Sequence, residues 1–334
     1  MARVCSENRL GRWLVSDSAR RDGGGREQAA LGKIGDTRGN SVREIEADMT
    51  TVYLNGEYMP RDRAMVPVDD RGFVFGDGIY EGVRAIDGRL IEWPAHAARM
   101  TSGLAGLRIG FGAERVAELE GVAGRLVRDN GLDQGEAFVY LAVTRGAAPR
   151  THAFPPAGTP PTVFVSATRL VVSREPRQHG VKAITFEDMR WSRCDWKTLN
   201  LLGSVLARQA AAEAGAFEAI LLRDGLVTEG AATTVFAVID GVVRTHPLSQ
   251  RILAGVTRTM VLACARELEV AVREHAMTEH ELRHAREIFL CGTRTDITPV
   301  IALDGAPVAT GTPGPITVRL RDAFEARLYS GVAR

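Results

Sequence analysis

Lysine is nearly missing from this chain: of 42 basic residues only Lys33, Lys182 and Lys197 are lysine, and the other 39 are arginine. Chemistry that needs an amine nucleophile therefore has three candidates before any motif is consulted. Charge of one sign is lacking too. With 42 basic against 41 acidic side chains the formal net charge is +1, which removes the uniform cationic field of a dedicated nucleic-acid binder. Long apolar runs are absent: none approaches the roughly 18 residues of a membrane span, and the arginine-studded first 30 residues hold no apolar stretch of signal-peptide type. The expectation is a cytoplasmic chain whose partners are small molecules or protein, with no nucleic acid and no membrane. Cysteine is sparse, and Cys5, Cys194, Cys264 and Cys291 form no CxxC pair, so neither a disulfide framework nor a thiolate zinc site is expected. No GxGxxG or GxxxxGK[ST] loop and no internal repeat is found, which takes away the usual support for nucleotide binding.

What is present fills 334 residues, room for two domains. Residues 1–48 contain a GGG run, nine basic and eight acidic residues and no sustained apolar period. They are expected to form a disordered extension, of the kind an upstream mis-assigned start would add before Met49. TVYLNGEYMP then reads as a strand, an Asn55-Gly56 turn and a returning strand, and Asp-Gly pairs at 87–88, 224–225, 240–241 and 304–305 sit between further apolar runs. Helical periods cover 94–107, 113–130, 198–214, 257–269 and 313–329. The mixed order predicts an α/β (α+β mixed) fold of two domains with largely antiparallel sheets and flanking helices. A smaller N-terminal α/β domain is expected over 49–160 and a larger C-terminal domain over 161–334. The proline-rich loop 146–160, which carries Arg150 and His152, is the expected joint and a natural place for a ligand.

The short motif HELRH, with His280, Glu281 and His284, has the HExxH spacing of zinc hydrolases. It lacks the extended form, since Glu287 stands where that form has glycine and Leu290 where it has the third histidine. A short solvated helix is the preferred reading, and no metal is expected. Lys197, in RWSRCDWKTLNLLGSVLARQ, sits where an irregular segment feeds a helix, a position that favours the neutral amine an imine-forming lysine requires. Lys182, in GVKAITF, follows strand alternation toward solvent. Glu229, in RDGLVTEGAATTVFAVIDG, is either an exposed turn carboxylate or one that holds a proton on a heterocycle nitrogen. Gly255, Val256 and Thr257 open an amphipathic helix, where bare N–H groups bind phosphate or Thr257 acts as a cap. An amine, a carboxylate and a phosphate-type helix start are together the handles of pyridoxal 5′-phosphate.

From Met49 to about residue 330 the chain resembles the fold type IV pyridoxal-phosphate aminotransferases, and within them the D-amino-acid transaminases. The blocks that carry the resemblance are DRGFVFGDGIYEGVRA (70–85), VTRGAAPRTHAFP (143–155), RWSRCDWKTLNLLG (190–203), LVTEGAATTVF (226–236), ILAGVTR (252–258) and DITPVIALDG (296–305). The resemblance implies that Lys197 is the Schiff-base lysine and proton shuttle and that Glu229 faces the pyridine nitrogen. It implies that Arg99, Val256, Thr257 and Thr293 hold the phosphate, and that Tyr80, Arg150 and His152 hold the substrate carboxylate, partly across a homodimer. The implied reaction moves the amino group of a D-amino acid such as D-alanine or D-glutamate to a 2-oxo acid. Within the same fold type a branched-chain L-aminotransferase or a 4-amino-4-deoxychorismate lyase would keep Lys197 and Glu229, whereas Arg150 and His152 argue against both. The chain departs from the family at Ala231-Ala232-Thr233-Thr234 and at Gly292 and Arg294, which bears on substrate range more than on reaction type.

Overall fold

A computed structural model describes residues 50–330; the extension expected over 1–48 lies outside them. The first half of the described chain carries β1 (Thr51–Leu54), β2 (Glu57–Pro60), α1 (Arg71–Phe75), β3 (Gly78–Ile86), β4 (Arg89–Leu90), α2 (Trp93–Gly106), α3 (Ala113–Asp129), β5 (Glu136–Thr144) and β6 (Val163–Arg169). Its six strands form one antiparallel sheet in the order β2-β1-β6-β5-β3-β4. The second half carries α4 (Glu175–His179), β7 (Val181–Glu187), α5 (Leu202–Glu213), β8 (Glu218–Arg223), β9 (Leu226–Gly230), β10 (Thr234–Ile239), β11 (Val242–Thr245), α6 (Val256–Glu267), β12 (Val272–Glu274), α7 (Glu279–Arg283), β13 (Glu287–Gly292), β14 (Asp296–Leu303), β15 (Ala306–Pro307) and α8 (Pro315–Leu328). These nine strands build a mixed sheet in the order β12-β11-β10-β13-β14-β7-β8-β9, with β15 beside β14. Among the described residues no helix is long and apolar enough to cross a membrane.

The Asn-Gly and Asp-Gly pairs close five hairpins. Asn55, Asp87, Asp224, Asp240 and Asp304 all have φ between 45° and 54°, and the glycine after each is also positive. Two successive positive φ values match the turn to the twist of the strands it joins, which is why this pair is so strong a local signal. The joint is less local. Strand β6 is an inner strand of the first sheet, so the chain leaves that sheet only after Arg169, later than the joint expected at 146–160. Composition marks a loop but not the sheet that the next strand enters.

Helices α2 and α3 bury Met100 and Leu104, and Val116, Leu119, Ala123 and Leu126, at three- and four-residue spacing. They cover the face of the first sheet formed by Ile79, Val83, Val139 and Leu141. Each such aliphatic side chain contributes about 1.5–3 kcal/mol when taken out of water. In the second sheet Phe236 and Phe289 stack with centroids 4.9 Å apart, covered by α6 and α8 through Val261, Leu320 and Phe324.

One helix starts later than its period predicts. The pattern over 198–214 becomes α5 only from Leu202, because residues 197–199 are engaged elsewhere. Strand β4 pairs only with Ala85 and Ile86, which leaves the edge of β3 from Gly78 to Tyr80 open. The amide of Tyr80 donates to the Lys197 carbonyl at 2.9 Å and that of Leu199 to the Gly78 carbonyl at 3.0 Å. A strand edge with unmade hydrogen bonds has captured the segment that the helical period alone would have wound up. Lys197 therefore lies on a strap, five positions before α5, and not at a helix start.

The HELRH motif is accounted for by its helix. Thr278 caps α7, the Glu281 carboxylate returns to the Thr278 amide at 2.8 Å in a capping box, and it also accepts from Arg244 at 2.8 Å. His280 and His284 are neighbours across one turn with ring centroids 4.2 Å apart, and the glutamate is committed to the cap.

Candidate active site

A cavity of about 890 Å³ opens between the two sheets. Tyr80, Gly82 and Phe138 face it from the first sheet. Alternation along β3 and β5 sends these side chains to one face, while Ile79 and Val83 go to the helical core on the other. The strap sets Lys197 beside Tyr80: its Nζ donates to the tyrosine Oη at 3.0 Å and lies 4.2 Å from the ring centroid. Lys182, the other lysine among the described residues, is exposed on β7.

Glu229 is the next-to-last residue of β9 and a buried carboxylate, 5% exposed, not an exposed turn residue. Both its oxygens accept from the Leu253 amide, at 3.2 and 3.1 Å, and one is ion-paired with Arg190. Arg190 is itself held by Asp188 at 2.8 and 2.9 Å, and Asp188 accepts from the Thr228 hydroxyl at 2.9 Å. Burial pushes the Glu229 carboxyl above its ordinary range, against the pull of Arg190, the Leu253 amide and Lys197. Cys194 and Cys291 also line the cavity, and burial raises both thiols, Cys291 to about 12. Neither competes with an amine as nucleophile at neutral pH.

The far end of the cavity suits an anion. Helix α6 begins at Val256 after Gly255, whose missing side chain leaves the helix start without a side-chain cap, so its first N–H groups are available. Val256, Thr257 and Thr293 line this end with Arg99 and Arg258. The Nε of Arg258 is buried without a hydrogen-bond partner among the described residues. Arg99 reaches across from α2, donating to both oxygens of Glu81 at 2.7 and 2.8 Å and to the Ala254 carbonyl at 2.8 Å, and His96 Nδ1 adds 2.7 Å to the same carboxylate. Burial alone would raise Glu81, but Arg99 and His96 bring it from 4.5 down to about 2. Because the folded value is the lower one, this carboxylate stabilises the fold at neutral pH, and the contribution is lost as pH falls from about 4.5 toward about 2. Glu81→Gln is expected to flatten that acid limb in urea titrations across this range, and an unchanged limb would exclude the assignment.

Arg150 and His152 are not brought to this cavity within one chain. Both are exposed, beside Phe75 at 5.3 and 5.7 Å, on a loop that Arg71 holds through the Thr151 carbonyl at 2.7 Å. At the Ala231–Thr234 departure the Thr233 hydroxyl donates to buried Glu218 at 3.0 Å, so the bend is anchored to the protein beneath it. Arg190, Asp188, Glu81, His96 and Glu218 carry much of this geometry and are not singled out by sequence reasoning. Arg190 does lie inside one of the blocks that carry the resemblance.

An amine, a buried carboxylate and an uncapped helix start beside Arg99, Thr257 and Thr293, all lining one cavity, fit the aldehyde side, ring nitrogen and phosphate of pyridoxal 5′-phosphate. Fold and donor set thus define a pyridoxal-phosphate enzyme of the mixed two-sheet type. Residues 78–303 match the family described as amino-transferase class IV, and the chain belongs to that family of pyridoxal-phosphate-dependent aminotransferases. It is 41% identical over 283 residues to the D-alanine aminotransferase of Bacillus licheniformis, spanning 85% of this chain and 99% of that one. The D-alanine aminotransferase of Staphylococcus haemolyticus is 38% identical over 282 residues, with 84% and 99% covered. Among solved structures, the branched-chain amino acid aminotransferase of Escherichia coli superposes with a TM-score of 0.78 at 28% identity, over 84% of this chain and 95% of that one. The branched-chain aminotransferase of the thermophilic archaeon Thermoproteus uzoniensis, solved with norvaline, gives 0.74 at 26% identity, over 85% and 96%.

Proposed function

We propose that the protein is a cytoplasmic, homodimeric D-amino-acid transaminase that transfers the amino group of D-alanine or D-glutamate to a 2-oxo acid. The observation that carries this reading is the Lys197 amine, 3.0 Å from Tyr80, in a cavity also lined by Glu229, Arg99 and the α6 start. When bound, the cofactor supplies an electron sink for charge developing at the substrate Cα. Lys197 takes and returns the Cα proton, with Tyr80 fixing the direction of its amine. Glu229, positioned by Arg190 and the Leu253 amide, faces the ring nitrogen and holds the proton there. Arg99, Val256, Thr257 and Thr293 hold the phosphate. Tyr80, with Arg150 and His152 of the partner subunit, takes the substrate carboxylate.

The dimer is supported by the surface around the Arg150 loop. Met65, Val68 and Phe73 are exposed at 77%, 75% and 78%, and the Ala148 amide ties the loop to the same lobe through the Asp69 carbonyl at 3.2 Å. Burying these side chains against a second copy covers an apolar patch and carries the loop toward a neighbouring cavity. Free, buried Cys194, Cys264 and Cys291 are in keeping with a reducing compartment.

D-specificity rests on the two named D-alanine aminotransferases, each matched over 99% of its length. The branched-chain structures provide the rival. The expected result is that the purified enzyme converts bound cofactor to its amino form with D-alanine and not with L-valine, and sediments at twice the chain mass. Conversion by L-valine alone selects the branched-chain reading.

A further inference from the structure

We infer that Arg294 determines substrate range by taking the second carboxylate of a dicarboxylic substrate, such as glutamate or 2-oxoglutarate; the inference rests on the transaminase reading above. Six cationic side chains line the cavity: Arg99, Arg190, Lys197, Arg208, Arg258 and Arg294. Four of them are already matched. Arg99 pairs with Glu81, Arg190 with Asp188 and Glu229, Arg208 with Glu218, and Arg258 with Glu274. Lys197 is the reacting amine and is held by Tyr80. Among the described residues Arg294 has no carboxylate at ion-pair distance, and its guanidinium carbon lies 5.2 Å from the centroid of the Phe138 ring. Among the described residues it is the one arginine of the cavity lining without a carboxylate partner, it is exposed, and the two carboxylates that line the cavity, Glu218 and Glu229, are both spent on other arginines.

Its placement is built. The Thr295 amide donates to the Gly292 carbonyl at 3.0 Å, closing a turn between β13 and β14 that carries Thr293 and Arg294 at its centre. The same turn therefore presents Thr293 toward the anion cradle and Arg294 toward the first sheet. The ring that receives it needs Gly82: a Cβ there would lie 2.5 Å from Phe138 Cζ, so the glycine leaves room for the ring on the cavity face of β3. A guanidinium laid on an aromatic face keeps its N–H edge free to fork onto a carboxylate, a geometry a lysine ammonium does not reproduce. A monocarboxylic substrate uses one such receptor, and a dicarboxylic one uses two.

The test compares the cofactor-loaded wild type with Arg294→Ala and Arg294→Lys. In Arg294→Ala the ratio of kcat/KM for D-glutamate to that for D-alanine is expected to fall about 10- to 100-fold, the loss of one charged hydrogen-bonded contact, with partial recovery in Arg294→Lys. Independently of turnover, calorimetric titration should show wild type preferring glutarate over butyrate and Arg294→Ala losing that preference. An unchanged ratio, or a parallel fall for both substrates, overturns the assignment. If wild type turns over no D-amino acid the transaminase reading fails, and the glutarate preference, lost or kept on mutation, still decides Arg294.

Discussion

Lys197→Ala is expected to abolish transamination and the visible absorption that the cofactor shows when bound through this amine. Loss of the proton shuttle alone lowers the rate about 100- to 10,000-fold, and the covalent hold on the cofactor goes with it. No second amine is placed to substitute: the other lysine among the described residues, Lys182, is exposed on β7, and the cavity thiols are held protonated by burial. The fold should survive, since Lys197 binds the edge of β3 through its backbone carbonyl, which alanine retains. Far-UV circular dichroism of wild-type form together with rate and absorption loss is the expected outcome. Residual turnover within tenfold of wild type would remove Lys197 from the chemistry.

The largest stability effect is expected at Asp296. This carboxylate, 1% exposed, is ion-paired with both Arg84 and Arg177, and Arg84 also meets Glu136 and the Tyr329 hydroxyl. Burial pushes the Asp296 carboxyl above its ordinary range, against the pull of the two guanidiniums at ion-pair contact. The cluster joins β3 and β5 of the first sheet to β14, α4 and the residue that follows α8 in the second half. Asp296→Ala removes the buried carboxylate shared by two cations, leaving Arg84 with Glu136 and Arg177 with the half-exposed Glu325 at 3.5 Å, and is expected to cost about 3–5 kcal/mol, read as a lower urea midpoint. The exposed pair Arg125–Asp129, at 53% and 38% side-chain exposure, is the control. Arg125→Ala there should shift stability by no more than about 0.5 kcal/mol. Equal effects at the two sites would mean that the buried cluster does not hold the halves together.

How much of this was legible in sequence follows from the range of each interaction. The Asn55-Gly56 and Asp-Gly turns are dictated by two adjacent residues, and all five formed where expected. Helix α3 follows its period because nothing competes for its backbone. The strap at Lys197 is the contrary case, since an open edge of β3, more than 100 residues upstream, decides the conformation of residues 197–199. The same holds for side chains. Lys197 and Glu229 stand in recognisable blocks, but the partners that set their state do not announce themselves. Arg190 meets Glu229 across 39 residues and Glu81 meets Arg99 across 18, and each partner alone looks like one charged residue among many. Arg294 was visible only as a departure, and a charge becomes informative once its neighbours are found to be matched.

Chain order assigns Lys197 to the second half of the protein, yet its backbone is seated on the first sheet. A break in the connection after Arg169 thus leaves the Lys197 amine on one fragment and its seat on the other. Neither fragment alone carries both, so the geometry around this amine exists only where the two pieces are together.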